Sequence, residues 1–161
     1  KYNHWNMSVF GIVLFNPEIP PNTGNVMRLC ANTRCSLRII KPMGFEINEK
    51  SLRRAGMDYI QNVDTKIFEN IDDFIISNEY KRYFLVTKYG KISYEKLDYQ
   101  KGDCFIFGSE SQGLSHEIFK KFKKSEKIYI PMAGKSRSLN LSNSVAICVY
   151  EALKQNEFQD L

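Results

Sequence analysis

Three polar segments carry residue types that core packing does not explain. In the first, NPEIPPNTGNVMR over residues 16 to 28, Asn22, Asn25 and Arg28 follow an apolar run and a connection stiffened by three prolines. A guanidinium can grip a phosphate at two points, and a helix amino terminus held open beside it would favour a polyanion. A lone arginine on an amphipathic helix is ordinarily a solvated side chain, but the asparagines and prolines around Arg28 tip the reading toward phosphate. In the second segment, FGSESQGL over residues 107 to 114, Gly108 and Gly113 flank Glu110. Glycines at the carboxyl end of a parallel strand permit close backbone approach to a ligand. Glu110 would fix that loop or orient a substrate, although a plain strand-to-helix turn with a surface carboxylate explains these eight residues equally well. The third segment, IPMAGKSRSLNLSNSVAI over residues 130 to 147, offers Ser136, Ser138, Asn140, Ser142 and Asn143 with few acids. That donor and acceptor set suits a neutral or cationic ligand, and helix capping accounts for at most two of its members. Lys135 and Arg137 add positive charge that would steer a nucleic acid toward it.

Other chemistries find little support. There is no GxGxxG after a strand and no GxxxxGK[ST], so the usual phosphate cradles are missing. His4 and His116 are the only histidines, and Cys30, Cys35, Cys104 and Cys148 show no CxxC spacing. No metal is expected, and the thiols read as buried and free.

The elements that must position these segments alternate short apolar β-rich runs with amphipathic ones, the pattern of an α/β domain with a largely parallel sheet. Strands are expected at Val9 to Leu14, Leu37 to Ile40, Arg82 to Thr87, Cys104 to Phe107 and Lys127 to Ile130, with a weaker one at Thr65 to Phe68. Helices are expected at Gly24 to Thr33, Glu49 to Ala55, Ile71 to Ser77, His116 to Phe122 and Ser142 to Lys154, the last capped by Ser142 or Asn143. Tyr89 to Gly102 reads as a loop. On the first helix Val26, Leu29, Cys30 and Thr33 share a face away from Asn25, Arg28 and Asn32; on the last, Val145, Ala146, Val149, Ala152 and Leu153 form an apolar stripe.

With 161 residues, 43% hydrophobic and 25% charged, the chain fits one domain over residues 1 to 161, neither disordered nor membrane-spanning. Its apolar runs fall far short of the ~20 residues that cross a bilayer. Residues 1 to 6 read as an appended or disordered start, with no secretory signal, and the expected location is cytoplasmic. A net charge of +5 is compatible with a polyanionic partner but common without one.

Taken together, NPEIPPNTGN, MRLCANT, KPMGF, LRRAGMDY, FGSE with GL, and SRSLNLSNSVA resemble, in order and spacing, the motifs of the SPOUT superfamily of RNA methyltransferases, in its branch of SpoU-type ribose methylases. The resemblance runs from Val9 to about Ala152 and lies nearest the small enzymes that methylate the wobble cytidine or uridine of tRNA. It departs at Ser109, where those relatives usually carry proline, and is weak from Asn62 to Lys81.

The resemblance implies a mostly parallel sheet flanked by helices, with a deep carboxyl-terminal trefoil knot. It implies S-adenosylmethionine as cofactor, held by Val86, Gly108, Ile130, Met132, Ser138 and Leu139, and released as S-adenosylhomocysteine. Arg28 would be the central catalytic residue, with Asn22, Glu110, Ser138 and Asn140 around it. Since arginine is too basic to accept a proton at neutral pH, Arg28 would act on the adjacent phosphate or be strongly perturbed. RNA contact would fall to Arg53, Arg54, Lys88, Lys135, Arg137 and Tyr150; the cluster Lys120, Lys121, Lys123 and Lys124 is more often a solvated helix face. A tRNA substrate and a homodimer through the first and last helices complete the expectation. Ribosomal RNA methylation, or a catalytically silent RNA-binding module of the same fold, are the alternatives.

Overall fold

The computed structural model describes residues 9–46, 50, 63–134 and 138–161. Seven strands form one sheet: β1 (Gly11–Phe15), β2 (Ser36–Ile40), β3 (Thr65–Phe68), β4 (Arg82–Val86), β5 (Ile92–Ser93), β6 (Asp103–Phe107) and β7 (Glu126–Tyr129). Their spatial order is β3-β2-β1-β6-β4-β7-β5, and every pairing is parallel. The described helices are α1 (Pro20–Thr33), α2 (Ile71–Ser77), α3 (His116–Lys121) and α4 (Leu141–Gln155).

Alternation along the strands explains why the central runs are apolar without interruption. Ile12, Leu14, Phe84, Phe105 and Phe107 point to one face, where Val26, Met27 and Cys30 of α1 meet Val145, Cys148, Val149 and Leu153 of α4. Val13, Leu85, Cys104 and Ile106 point to the other, against Phe74 of α2 and Ile118 and Phe119 of α3. Both faces are therefore covered, as a parallel sheet requires. All four cysteines are free and buried, as expected. Asn25, Arg28 and Asn32 are exposed on α1, opposite the packed face.

Three expectations change. The first helix begins at Pro20, ahead of the expected Gly24, because Pro20 and Pro21 occupy its first positions, where a missing N–H costs no hydrogen bond. Gly24 is consequently buried inside the helix. The cap of α4 is Asn140, not Ser142 or Asn143: its side chain accepts from the Asn143 N–H three residues on. Within the expected loop at Tyr89 to Gly102, Ile92 and Ser93 pair with β7 as β5, and Tyr94 to Lys96 make a 3-10 turn. The helix expected at Glu49 to Ala55 falls outside the described residues except for Lys50, which is helical.

Parallel strands share one carboxyl edge. Because β1, β6, β4 and β7 are consecutive neighbours, the connections leaving all four open onto the same crevice. Among the described residues no group of histidines, cysteines and acids is arranged to hold a metal, and no helix is long and apolar enough to cross a membrane.

Candidate active site

Asn16 ends β1 in the left-handed region (φ 53°) and is pinned by its own N–H and side chain to the Ile40 carbonyl. The chain then turns toward α1, whose amino-terminal residue Ile19 has no side-chain cap and whose first turn holds no acid. Glu110, from the loop after β6, supplies the missing charge. Its Oε1 accepts from the Glu18 N–H at 2.9 Å, and its Oε2 accepts from the Ile19 N–H at 2.6 Å and from Asn22 Nδ2 at 3.2 Å. The open helix terminus expected to receive a polyanion is thus closed. The unpaired N–H groups there attract negative charge, and Glu110 already provides it.

The third segment joins at Asn22. Asn140 donates through Nδ2 to Asn22 Oδ1 at 3.0 Å, while Asn140 Oδ1 accepts from Ser142 Oγ at 2.6 Å and from the Asn143 N–H at 3.2 Å. Glu110, Asn22 and Asn140 therefore form one continuous chain of hydrogen bonds across all three segments, and Asn22 is buried within it.

The glycines of the second segment serve the loop itself. A Cβ on Gly108 would lie 2.0 Å from the Gly113 carbonyl carbon and 2.3 Å from the Leu114 nitrogen, and Gly113 adopts φ +66° with nothing near its missing Cβ. Ser109 braces the same turn: its carbonyl accepts from the Gly113 N–H, and its hydroxyl accepts from the Gln112 N–H at 3.2 Å. Serine therefore fits this turn.

At the ends of β4 and β7, Val86 and Ile130 are half-buried and pack against the core, whereas Met132 and Leu139 are 42% and 38% exposed. Large apolar side chains left open, with exposed Ser138 adjoining Leu139 in the chain, suit an organic ligand carrying apolar and polar parts. Glu18 and Glu110 bring two carboxylates to the junction. An S-adenosylmethionine molecule, with its adenosyl group and sulfonium, matches that donor set.

Arg28 is exposed on α1, two turns beyond the junction, and makes no hydrogen bond or ion pair with described residues. Its guanidinium is available to an external partner. Ser138 is exposed, likewise without a hydrogen bond. Lys88 is exposed after β4 with its Nζ 5.2 Å from the Tyr89 ring centroid, and Tyr150 is exposed on α4 near Phe158. Arg53, Arg54, Lys135 and Arg137 lie outside the described residues. Sequence reasoning passed over Glu18 and Ser111, which are bonded across the same junction at 2.6 Å. An isolated glutamate beside prolines gives no sign of a partner so distant along the chain.

The sequence profile of the SpoU rRNA Methylase family matches residues 10–150. A tRNA (cytidine(34)-2'-O)-methyltransferase of Methylovorus glucosotrophus is 43% identical over 150 residues, covering 93% of this chain and 97% of the relative. Its counterpart in Yersinia pestis is 45% identical, covering 91% of this chain and 94% of that one. Among solved structures, an RNA methyltransferase from Bacillus anthracis superposes with a TM-score of 0.86 at 41% identity, over 94% of this chain and 97% of that one. Another, described as giving structural insights into the 2-OH methylation of C/U34 on tRNA, superposes with a TM-score of 0.85 at 34% identity, over 95% and 99%.

Proposed function

The chain belongs to the SpoU rRNA methylase family, and on that premise we propose that it is an S-adenosylmethionine-dependent enzyme methylating the ribose 2′-hydroxyl of the wobble nucleotide, cytidine or uridine, in tRNA. The observation that carries the reading is the hydrogen-bonded junction of Glu110, Asn22 and Asn140, with Arg28, which has no partner among the described residues, on the helix that begins there.

When bound, S-adenosylmethionine supplies a methyl group already activated on a sulfonium. Val86, Gly108, Ile130, Met132, Ser138 and Leu139 would hold it at the carboxyl edge of β4, β6 and β7. The remaining task of the protein is alignment, which pre-organised loops perform well. Asn22, Glu110 and Asn140 keep the three loops in register. Arg28 grips the phosphate next to the target ribose; it does not serve as a simple base, because a guanidinium stays protonated at neutral pH. Ser138 presents its hydroxyl beside the same opening.

Lys88 and Tyr150 are exposed and so open to an RNA loop, and Arg53, Arg54, Lys135 and Arg137, outside the described residues, are assigned to RNA contact by the family resemblance. One small domain over residues 1 to 161 offers limited area to a tRNA, so a homodimer through α1 and α4 lets the partner complete the groove. The knotted path belongs to the same reading and is supported by the insertion of β7 between β4 and β5, both earlier in the chain. A cytoplasmic location belongs to the same reading and is supported by the proposed tRNA substrate.

Transfer of a labelled methyl group to tRNA transcripts tests this directly. A ribose 2′-O-methyl blocks alkaline cleavage of the following phosphodiester, so the label is expected in an alkali-resistant dinucleotide. Label entering only ribosomal RNA fragments, or an alkali-labile product, would overturn it. A species that sediments as an active monomer at micromolar concentration would remove the dimer.

A further inference from the structure

Two carboxylates cross the junction in opposite directions. Glu110 reaches from its loop to the N–H groups of Glu18 and Ile19 at 2.9 and 2.6 Å. Glu18, on the receiving loop, returns its Oε1 to the N–H and the hydroxyl of Ser111 at 3.3 and 2.6 Å. The backbone beside each glutamate thus holds the other glutamate. Hydrogen bonds from the side chains of Ser111 and Ser109 keep the Glu18 carboxyl below its usual pKa.

Like charges this near each other would drive the loops apart were the N–H and O–H donors not interleaved with them. Interleaving also fixes register: sliding one loop by a residue breaks bonds in both directions. Nothing in the core requires Glu18, whose side chain is half-exposed and absent from both apolar clusters. What the clasp does fix is the start of α1, the helix that carries Asn22 and Arg28, against the loop that opens at Gly108.

We propose that Glu18 is a positioning residue for methyl transfer, which by holding Ser111 sets the placement of α1, and with it Arg28, relative to the loop that begins at Gly108. This rests on the reaction proposed above.

The test compares Glu18→Ala, Glu18→Gln, Ser111→Ala and the double variant Glu18→Ala/Ser111→Ala. Misplacement predicts about a tenfold fall in kcat on tRNA for Glu18→Ala. Affinity for S-adenosylhomocysteine and KM for tRNA should stay within about twofold. Glu18→Gln keeps an acceptor oxygen and should recover most of the rate, and the double variant should be no worse than Glu18→Ala because both changes remove one interaction. The Ser111 amide resonance, which needs no turnover, should move upfield in Glu18→Ala. Full kcat in Glu18→Ala, an unmoved Ser111 resonance, or additive single variants would overturn the proposal. So would a loss explained by a lowered melting temperature with equally weakened cofactor binding. A wild-type protein that binds S-adenosylhomocysteine but leaves tRNA unmethylated would instead overturn the underlying reaction.

Discussion

Asn140 donates to Asn22 across 118 positions of sequence while its own Oδ1 caps α4. The two tasks use different atoms of one amide, so they can be separated. Asn140→Ala loses both and should cost about 1 kcal/mol of stability as well as most turnover. Asn140→Asp keeps the capping oxygen but cannot donate to Asn22. It should melt within a few degrees of wild type, yet still lose most methyl transfer. Thermal unfolding and labelled transfer, run in parallel, distinguish the variants; a fully active Asn140→Asp would show that the bond to Asn22 is dispensable.

Arg28 has no partner among the described residues, so its removal should leave the fold and the cofactor site intact. Arg28→Ala is expected to abolish transfer while S-adenosylhomocysteine binds, by calorimetry, within about twofold of wild type. Arg28→Lys should remain severely impaired, because an ammonium cannot reproduce the two-point grip of a guanidinium. Retained turnover in Arg28→Ala would remove this residue from the mechanism.

Stability depends on a different arginine. Arg38, 2% exposed in β2, pairs with Asp64 at 3.0 Å and with Glu79 at 2.9 Å. Arg38→Met would leave two partly buried carboxylates facing each other, at a cost of about 3 kcal/mol. Scanning calorimetry should show a melting temperature lower by about 6 to 12 °C. Methyl transfer at a temperature where the variant is folded should be unchanged, since the Arg38 side chain bonds only to Leu37, Asp64 and Glu79 among the described residues and to none of the junction.

The same network sets an acid limit. Burial alone would raise the Glu79 carboxyl, but hydrogen bonds from Arg38 and Lys66 outweigh it and hold its pKa below the ordinary value. A carboxyl depressed on folding contributes stability that is fully present above its unfolded pKa, about 4.3, and is lost as pH falls through the lower folded value. Melting temperature should therefore drop more steeply below about pH 4 in wild type than in Glu79→Gln. Parallel curves would show that Glu79 is uncoupled from acid unfolding.

Much of this was legible in the chain. The strands from Ile12 to Phe107 declare themselves because burial on both faces makes them continuously apolar, and the polar segments declare themselves because packing cannot use so many asparagines and serines. Gly24 misled, since a glycine reads as a helix start when the prolines before it already serve that role. Ile92 and Ser93 were invisible because a two-residue strand has no periodicity. Glu110 was ambiguous for a physical reason: its three donors come from residues 88 to 92 positions away, and no local pattern records a bond that only the sheet order creates. Arg38 gave no sign of its ion network, because a charged residue inside an apolar strand finds its partners only after β3 and α2 are in place.

The central claim is that the junction of three loops presents a methyl group to one ribose of tRNA beside Arg28. Nuclease digestion and mass spectrometry of tRNA transcripts incubated with the wild-type protein and labelled S-adenosylmethionine test it most directly. The expected result is a single 2′-O-methylated nucleotide at the wobble position, absent with Arg28→Ala. A methyl group on a base, or on a ribose elsewhere in the tRNA, would contradict it.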